Sequence, residues 1–197
     1  MKVVGLETIR IAEYPAMLFL QVHTDEGVIG LGENCVGIGV VEEFIHESIA
    51  PRLLGKDPLA ITSIQEILHQ DFLGFQGSGV AVRAASSVDI ALWDIKGKVE
   101  GKPIYQLLGG SSKELPIYNT CAGRGYMRKS DQDSSAWGIS SDNDQYEDLQ
   151  AFLSDAGALA KTLLTEGIAG MKIWPFDIYA EKNDGADISE EDLKKGL

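Results

Sequence analysis

The sequence has few of the residues that build metal, disulfide or redox sites. It contains two cysteines and three histidines among its 197 residues. Cys35 and Cys121 have neither a CxxC spacing nor a neighbouring histidine cluster, so a zinc site and a disulfide framework are not indicated. Two free thiols are typical of the reducing cytoplasm, which is the location we expect. His23, His46 and His69 are far apart on unrelated segments, and we interpret them as surface or packed side chains.

Long apolar runs and positive charge are also scarce. No apolar run approaches the about 20 residues of a membrane helix, and the N-terminal segment contains acids and lacks the pattern of a signal peptide. The formal net charge of -13 argues against nucleic acid and anionic membrane surfaces as partners. The hydrophobic fraction of 44% is enough for a sizeable core and argues against global disorder.

The N-terminal region predicts three strands followed by helices. Strands are expected over 3–11, 17–24 and 28–33, with a tight turn at 25–27, so that they form an antiparallel meander. Apolar residues from Val41 to Leu53 then repeat at helical spacing, and a second helix begins near Thr62 or Ser63. After a Gly-rich stretch comes the strongest helix, whose apolar face is formed by Val88, Ala91, Leu92, Ile95 and Val99. A short helix after Pro103 completes an α+β unit over 1–114.

The pattern changes in residues 115–197. Short strands are expected over 115–120 and 170–174, and a long segment without apolar periodicity covers 122–143. Between the strands, one amphipathic helix ending near Gly167 is predicted from Tyr146, Leu149, Leu153, Ala156, Ala160 and Leu163 or Leu164. A polar loop over 175–187 leads to a helix start capped by Ser189. This order predicts a parallel pair, and since a whole (β/α) barrel takes about 250 residues, we expect the incomplete start of one, namely its first two β/α units.

Several segments resemble one family. Residues 24–33 (TDEGVIGLGE) resemble the capping-domain hairpin of the mandelate racemase/muconate lactonizing enzyme family of the enolase superfamily. Residues 85–98 (ASSVDIALWDIKGK) resemble its most recognisable helix, 101–110 the continuation toward the barrel, and 115–118 the first barrel strand. The resemblance implies that 1–114 is a capping domain ahead of a TIM-type barrel. The glycines of the hairpin are expected to serve turns and close packing.

The resemblance also implies the chemistry. Enzymes of this family use Mg²⁺ and remove the α-proton of a carboxylate substrate. The metal is held by three carboxylates on later barrel strands, so we expect Mg²⁺ in the complete enzyme and no metal ligand or cofactor from this chain alone. Nothing in the resemblance supports Asp177 or Asp184 as ligands.

Candidate site residues lie where the two barrel strands end and in the capping loops. Lys172 is the candidate catalytic residue, with an inward-facing structural lysine as the alternative. Substrate contacts are expected from Asn119 and Trp174 at the strand ends and, in the capping loops, from Tyr14, Phe75 and Gln76. Arg124 and Arg128 could meet an anionic substrate, although a surface loop is the simpler interpretation.

The end of the second strand indicates the reaction. In racemases and cycloisomerases of the family this strand often carries Lys-x-Lys, with the second lysine as base, whereas here the pattern is Lys172-Ile173-Trp174. The departure favours a sugar-acid dehydratase. The alternatives are a racemase, epimerase or cycloisomerase of the same family, or a catalytically inactive truncated fragment that only folds or self-associates through strand edges. Expected partners are a small-molecule carboxylate, the missing barrel segment or a partner chain that supplies it, and further copies in a homo-oligomer.

Overall fold

The computed structural model describes residues 1–12, 14, 16–69, 79–121, 148–180 and 185–197, the side chains of residues 178 and 180 excepted. The chain divides into two units, Met1–Ser112 and Lys113–Leu197, and each has its own cluster of buried apolar residues. Within the described ranges, no helix is long and apolar enough to cross a membrane.

The first unit begins with a three-stranded antiparallel sheet in the order β1-β2-β3. β1 spans Val3–Arg10, β2 Leu18–Thr24 and β3 Ile29–Asn34. The alternation in β2 turns Leu18, Leu20 and Val22 into the core, where they are almost completely buried. Gly27 closes the β2–β3 turn with a φ of 79°, a left-handed conformation that glycine adopts without a steric cost. The predicted meander is confirmed.

Helices then cover one face of this sheet. α1 (Ile38–Phe44) runs through a π-helical turn (Ile45–Ile49) into α2 (Ala50–Leu53). α3 spans Ile61–His69, α4 Val80–Glu100 and α5 Ile104–Leu107. The helix predicted through 41–53 is present, but the π-helical turn at its centre was not predicted. Ile45 and Ile49 are buried in that turn, so the wider winding keeps both on the core side.

The longest helix, α4, packs against β3. Val88, Ala91, Leu92 and Ile95 are fully buried, as predicted from their spacing. Val99 was expected on the same face but is 43% exposed. It lies in the last turn of α4, just before the C-cap Gly101 and beyond the last buried residue of the helix, Ile95.

Two glycines allow the close approach of β3 and α4. A Cβ at Gly30 would lie 2.6 Å from Cγ1 of Ile95 and 2.9 Å from the carbonyl carbon of Ala91. A Cβ at Gly32 would lie 2.9 Å from the carbonyl carbon of Ser87 and would overlap its oxygen. The close-packing role predicted for these glycines is confirmed.

An ion pair on α4 covers the free edge of β3. The carboxylate of Asp94 accepts a hydrogen bond from the backbone N–H of Leu31 (2.8 Å), and the ammonium of Lys98 donates to the carbonyl oxygen of Ile29 (2.7 Å). Asp94 and Lys98 also pair with each other at 2.7 Å, one helical turn apart. Because an open strand edge is a template for unwanted pairing, these bonds both fasten the helix and protect the edge.

The described residues of the second unit form a two-stranded parallel sheet and the helical segments α6, α7 and α8. β4 (Tyr118–Asn119) pairs with β5 (Gly170–Met171). Both strands are shorter than predicted, because the ladder pairs only two residues on each side. The predicted polar loop over 175–187 contains a helical turn, α7 (Asp177–Ala180), and α8 spans Glu190–Gly196. As predicted, Ser189 caps α8, its Oγ accepting the N–H of Asp192 at 3.1 Å. The segment 122–143 lies outside the described residues.

The helix between the strands, α6 (Asp148–Thr165), is not a single regular helix. Asp155 has φ −153° and ψ 82°, and its carboxylate accepts the N–H of Ala158 at 2.9 Å. The second half is therefore a new helix that Asp155 caps. Phe152 and Leu159 are buried on either side of the break, and of the two predicted alternatives Leu163 is buried while Leu164 is 62% exposed.

Candidate active site at the ends of β4 and β5

The parallel pairing brings two candidate residues together. Asn119 pairs with Met171, and the backbone N–H of the next residue, Lys172, donates to the carbonyl oxygen of Asn119 at 2.8 Å. Both residues therefore stand at the carboxyl ends of adjacent parallel strands, the edge at which α/β folds carry their functional groups.

The side chain of Asn119 is engaged within the unit. Its Nδ2 donates to Oδ2 of Asp148 at 2.7 Å, and its Oδ1 accepts the backbone N–H of Cys121 at 2.7 Å. The amide thus joins the end of β4 to the first turn of α6 and closes a local turn. An amide has two N–H groups and an oxygen with two lone pairs, so a further contact to a ligand is compatible with these bonds.

Cys121 lies beneath this turn. It is fully buried, its φ is 51°, and its thiol contacts the carbonyl oxygen of Asn119 at 3.7 Å. Burial, and then the negative charge of Asp148, raise the pKa of the Cys121 thiol above its ordinary value, although a hydrogen bond from the backbone of Lys172 acts in the opposite direction. A neutral thiol is a poor nucleophile, so this cysteine is a packed residue.

Lys172 presents its ammonium beside an aromatic pair. The residue is exposed, and its Nζ lies 5.1 Å from the centroid of the Trp174 ring. Trp174 in turn meets Phe152 of α6 edge to face, with ring centroids 6.2 Å apart and an interplanar angle of 81°. Both distances are within the range of favourable cation–π and aromatic contacts.

The structure groups three of the six predicted site residues, Asn119, Lys172 and Trp174. Tyr14 belongs to the other unit, where its backbone bridges the β1–β2 connection by hydrogen bonds with Ile11 and Met17. The predicted contacts Phe75 and Gln76 lie outside the described residues, as do Arg124 and Arg128.

Sequence reasoning missed two neighbours of this site, Asp148 and Phe152. Asp148 lies in the first turn of the helix that follows β4, where an acidic residue is normally attributed to the helix dipole. The acidic residue at position 148 was the only feature of the sequence that could have indicated this neighbour of the site.

A separate polar cluster lies in the first unit. The hydroxyl of Thr8 donates to Oε1 of Glu42 at 2.8 Å, and because it has one proton, its 2.8 Å contact with Nε2 of His46 requires the imidazole to donate. Arg10 forms an ion pair with the same carboxylate. Burial raises the pKa of Glu42, but the hydrogen bonds from Thr8 and Arg10 outweigh it and lower that pKa overall.

Across the described part of the chain, no group of three or more His, Cys, Asp or Glu side chains could hold a metal ion. The carboxylate of Asp148 is already bound to Asn119. These residues do not fit a Mg²⁺ site.

Comparison with known proteins identifies the family. Residues 6–109 match the model of the mandelate racemase / muconate lactonizing enzyme N-terminal domain. A D-galactonate dehydratase of Verminephrobacter eiseniae is 43% identical over 113 residues, which cover 56% of this chain and 28% of that protein. The chain thus spans less than a third of this relative's length.

Comparison with solved structures supports the same family. An enolase of the mandelate racemase subgroup from Agrobacterium tumefaciens is 44% identical, with a TM-score of 0.73, over 100% of this chain and 45% of that one. An enolase from Pantoea ananatis, with bound D-gluconate and Mg, is 34% identical with a TM-score of 0.53 over 60% of this chain and 30% of that one. The three-stranded meander, the helices over it and the match across residues 6–109 show that the chain belongs to the mandelate racemase/muconate lactonizing enzyme family of the enolase superfamily.

Proposed function

We propose that the chain is the N-terminal part of a Mg²⁺-dependent enzyme that dehydrates a sugar acid. The observation that carries the proposal is the 43% identity to a D-galactonate dehydratase within the matched family region. The D-gluconate and Mg bound by the Pantoea ananatis enolase support both the substrate class and the metal. We assign Mg²⁺ to the complete enzyme, as the family resemblance implies.

Dehydration of a sugar acid removes a proton from the carbon next to the carboxylate and expels the hydroxyl group of the neighbouring carbon as water. The substrate is an anion, and more negative charge gathers on its carboxylate oxygens as the proton leaves. A cation fixed beside those oxygens lowers the free energy of the transition state. Lys172 offers such a cation at the end of β5, and we assign it to holding the substrate carboxylate, with Asn119 beside it.

Trp174, two positions after Lys172, supports dehydration over racemisation. The indole of Trp174 has an N–H donor and no basic atom, so it cannot remove a proton. A racemase, epimerase or cycloisomerase that uses a second lysine at this position is therefore the less favoured reading. Tyr14, Phe75 and Gln76 are proposed to select the substrate from the capping loops.

One observation favours a non-catalytic alternative. Leu115, Ile117 and Tyr118, in and before β4, are 67%, 63% and 61% exposed. Apolar side chains next to short, open strands promote association. A chain that only folds and self-associates would form homo-oligomers through this region, and sedimentation velocity over a concentration series measures that tendency.

The test of the enzymatic proposal uses the longest form of the protein that its gene encodes. D-Galactonate, D-gluconate and other sugar acids are offered with Mg²⁺ in D₂O. Formation of the 2-keto-3-deoxy acid, which takes up deuterium at C3, is followed together with deuterium at the α-carbon of the remaining substrate. We expect dehydration, and we expect Lys172→Met to lower kcat/KM by roughly 100-fold, the scale seen when one group that stabilises a developing oxyanion is removed. Lys161→Met, which removes an exposed lysine from α6, is the matched control.

The possible results separate the candidates. Deuterium incorporation with inversion and no loss of water would move the assignment to a racemase or epimerase. Neither exchange nor dehydration with any sugar acid would refute the enzymatic proposal and leave the self-associating chain as the better account.

A further inference from the structure

We infer that Trp174 and Phe152 are positioning residues that hold the ammonium of Lys172 at the end of β5. Trp174 provides the surface on which the ammonium rests, and Phe152 fixes the orientation of that surface. The inference rests on the proposed role of Lys172, and it changes the expected role of Trp174 from a substrate contact to a support for the lysine.

Lys172 is held at both of its ends. Its backbone N–H is bound to the carbonyl oxygen of Asn119 at 2.8 Å, which fixes the base of the side chain. Its Nζ lies 5.1 Å from the centre of the indole, which restrains the tip. A lysine side chain that is not restrained beforehand loses considerable rotamer entropy when it is fixed in one position. A contact of this kind at an exposed site favours the stacked ammonium by about two- to fivefold.

The indole has a second partner in the core. Phe152 is 6% exposed and belongs to the core of the second unit, and it meets Trp174 edge to face at 6.2 Å. A ring that packs against a buried partner has few alternative orientations. The buried core of α6 is thereby linked, through Trp174, to the charged tip of Lys172.

The spacing explains why tryptophan occupies this position. The Lys172 ammonium lies over the ring two positions further along the chain, so position 174 is the one whose side chain meets it. A second lysine at position 174, as in the Lys-x-Lys pattern of the family, would place a second positive charge near Lys172. Repulsion between the two charges would then separate the side chains. An aromatic face instead attracts the ammonium and keeps it at one place.

The experiment measures Lys172 directly in the 197-residue chain, so it needs no enzymatic activity. The εCH₂ signal of Lys172 is identified by lysine-selective ¹³C labelling and by its loss in Lys172→Met. We expect it upfield of the Lys161 signal, because the indole ring current shields protons that lie over its face. Trp174→Leu should move the signal to the Lys161 position, and Phe152→Leu should move it part of the way.

Two controls distinguish positioning from general loosening of the fold. Leu159→Ala removes a buried side chain from the same core cluster as Phe152 and should leave the Lys172 signal in place. Lys96, 5.3 Å from the Trp93 ring in the first unit, gives a second shielded lysine that none of these changes should move.

Three results would overturn the inference. These are a Lys172 signal at the Lys161 position in the unaltered chain, no movement in Phe152→Leu, or equal movement in Leu159→Ala. The proposed function can fail independently, because an inactive complete protein with a shielded Lys172 would refute the dehydratase while the positioning stands.

Discussion

Gly32→Ala tests the contact that joins the sheet to its longest helix. Gly32 faces α4, and the added methyl group would overlap the carbonyl oxygen of Ser87 and lie 2.9 Å from its carbon. These are backbone atoms inside a helix of 21 residues, so no side chain can rotate to make room. The strand or the helix as a whole would have to move.

The expected cost follows from that rigidity. Overpacking a core costs about 1–3 kcal/mol and occasionally more. Since the obstructing atoms belong to a backbone whose neighbours Val88, Ala91 and Leu92 are fully buried, we expect the upper end, about 3 kcal/mol. For a domain of this size, about 4–8 °C of melting temperature is lost per kcal/mol, so the loss is roughly 12–24 °C.

The assay is urea and thermal unfolding followed by far-UV circular dichroism, with peptide-resolved hydrogen exchange over β3 and α4. Gly5→Ala is the matched control in the same sheet, since its Cβ would lie 3.9 Å from the Cβ of His23, an ordinary contact. That variant should match the unaltered chain or gain up to about 1 kcal/mol by restricting the unfolded state. Equal stabilities for Gly32→Ala and Gly5→Ala would refute the close approach of strand and helix.

The remaining predictions concern charged groups. Asp94→Ala should lower the free energy of unfolding by about 1–2 kcal/mol, because the backbone N–H of Leu31 loses a charged acceptor; an unchanged urea midpoint would contradict this. Asp148→Asn should lower the pKa of the Cys121 thiol, although burial still keeps that pKa above its ordinary value. Iodoacetamide should therefore react with Cys121 faster at a fixed alkaline pH, and an unchanged rate would count against the charge effect. The lowered pKa of Glu42 stabilises the fold above its ordinary value of 4.5, and this contribution disappears as the pH falls through the folded pKa. Glu42→Gln should therefore be less stable at pH 7 and lose less stability on acidification below 4.5, and parallel pH profiles would exclude this linkage.

Hydrophobic spacing was sufficient to predict most elements of the first unit. The alternation in β2 and the stripe of α4 were confirmed, because both elements bury a single face. The π-helical turn and the exposure of Val99 could not be predicted, since both depend on where the core ends and not on the local pattern. In the second unit, the break at Asp155 within α6 was not predicted, because the buried positions on its two sides, Phe152 and Leu159, keep ordinary helical spacing.

The candidate site was predicted only in part. The order of β4 and β5 was enough to expect Asn119 and Lys172 side by side, because parallel strands end at the same edge. The aromatic support of Lys172 could not be predicted, because the contact of Phe152 with Trp174 joins residues that are distant in the sequence. Contacts between residues distant in sequence, such as Asn119 with Asp148, require the fold itself.

The central proposal is that this chain carries the capping unit and the Lys172 end of the site, while the carboxylates that bind Mg²⁺ belong to later barrel strands. Calorimetric titration of the purified 197-residue chain with Mg²⁺, with its intact mass verified, tests this most directly. We predict no saturable one-site binding. Clear one-site binding of Mg²⁺ would contradict the proposal, because acidic residues of this chain would then form a metal site of their own.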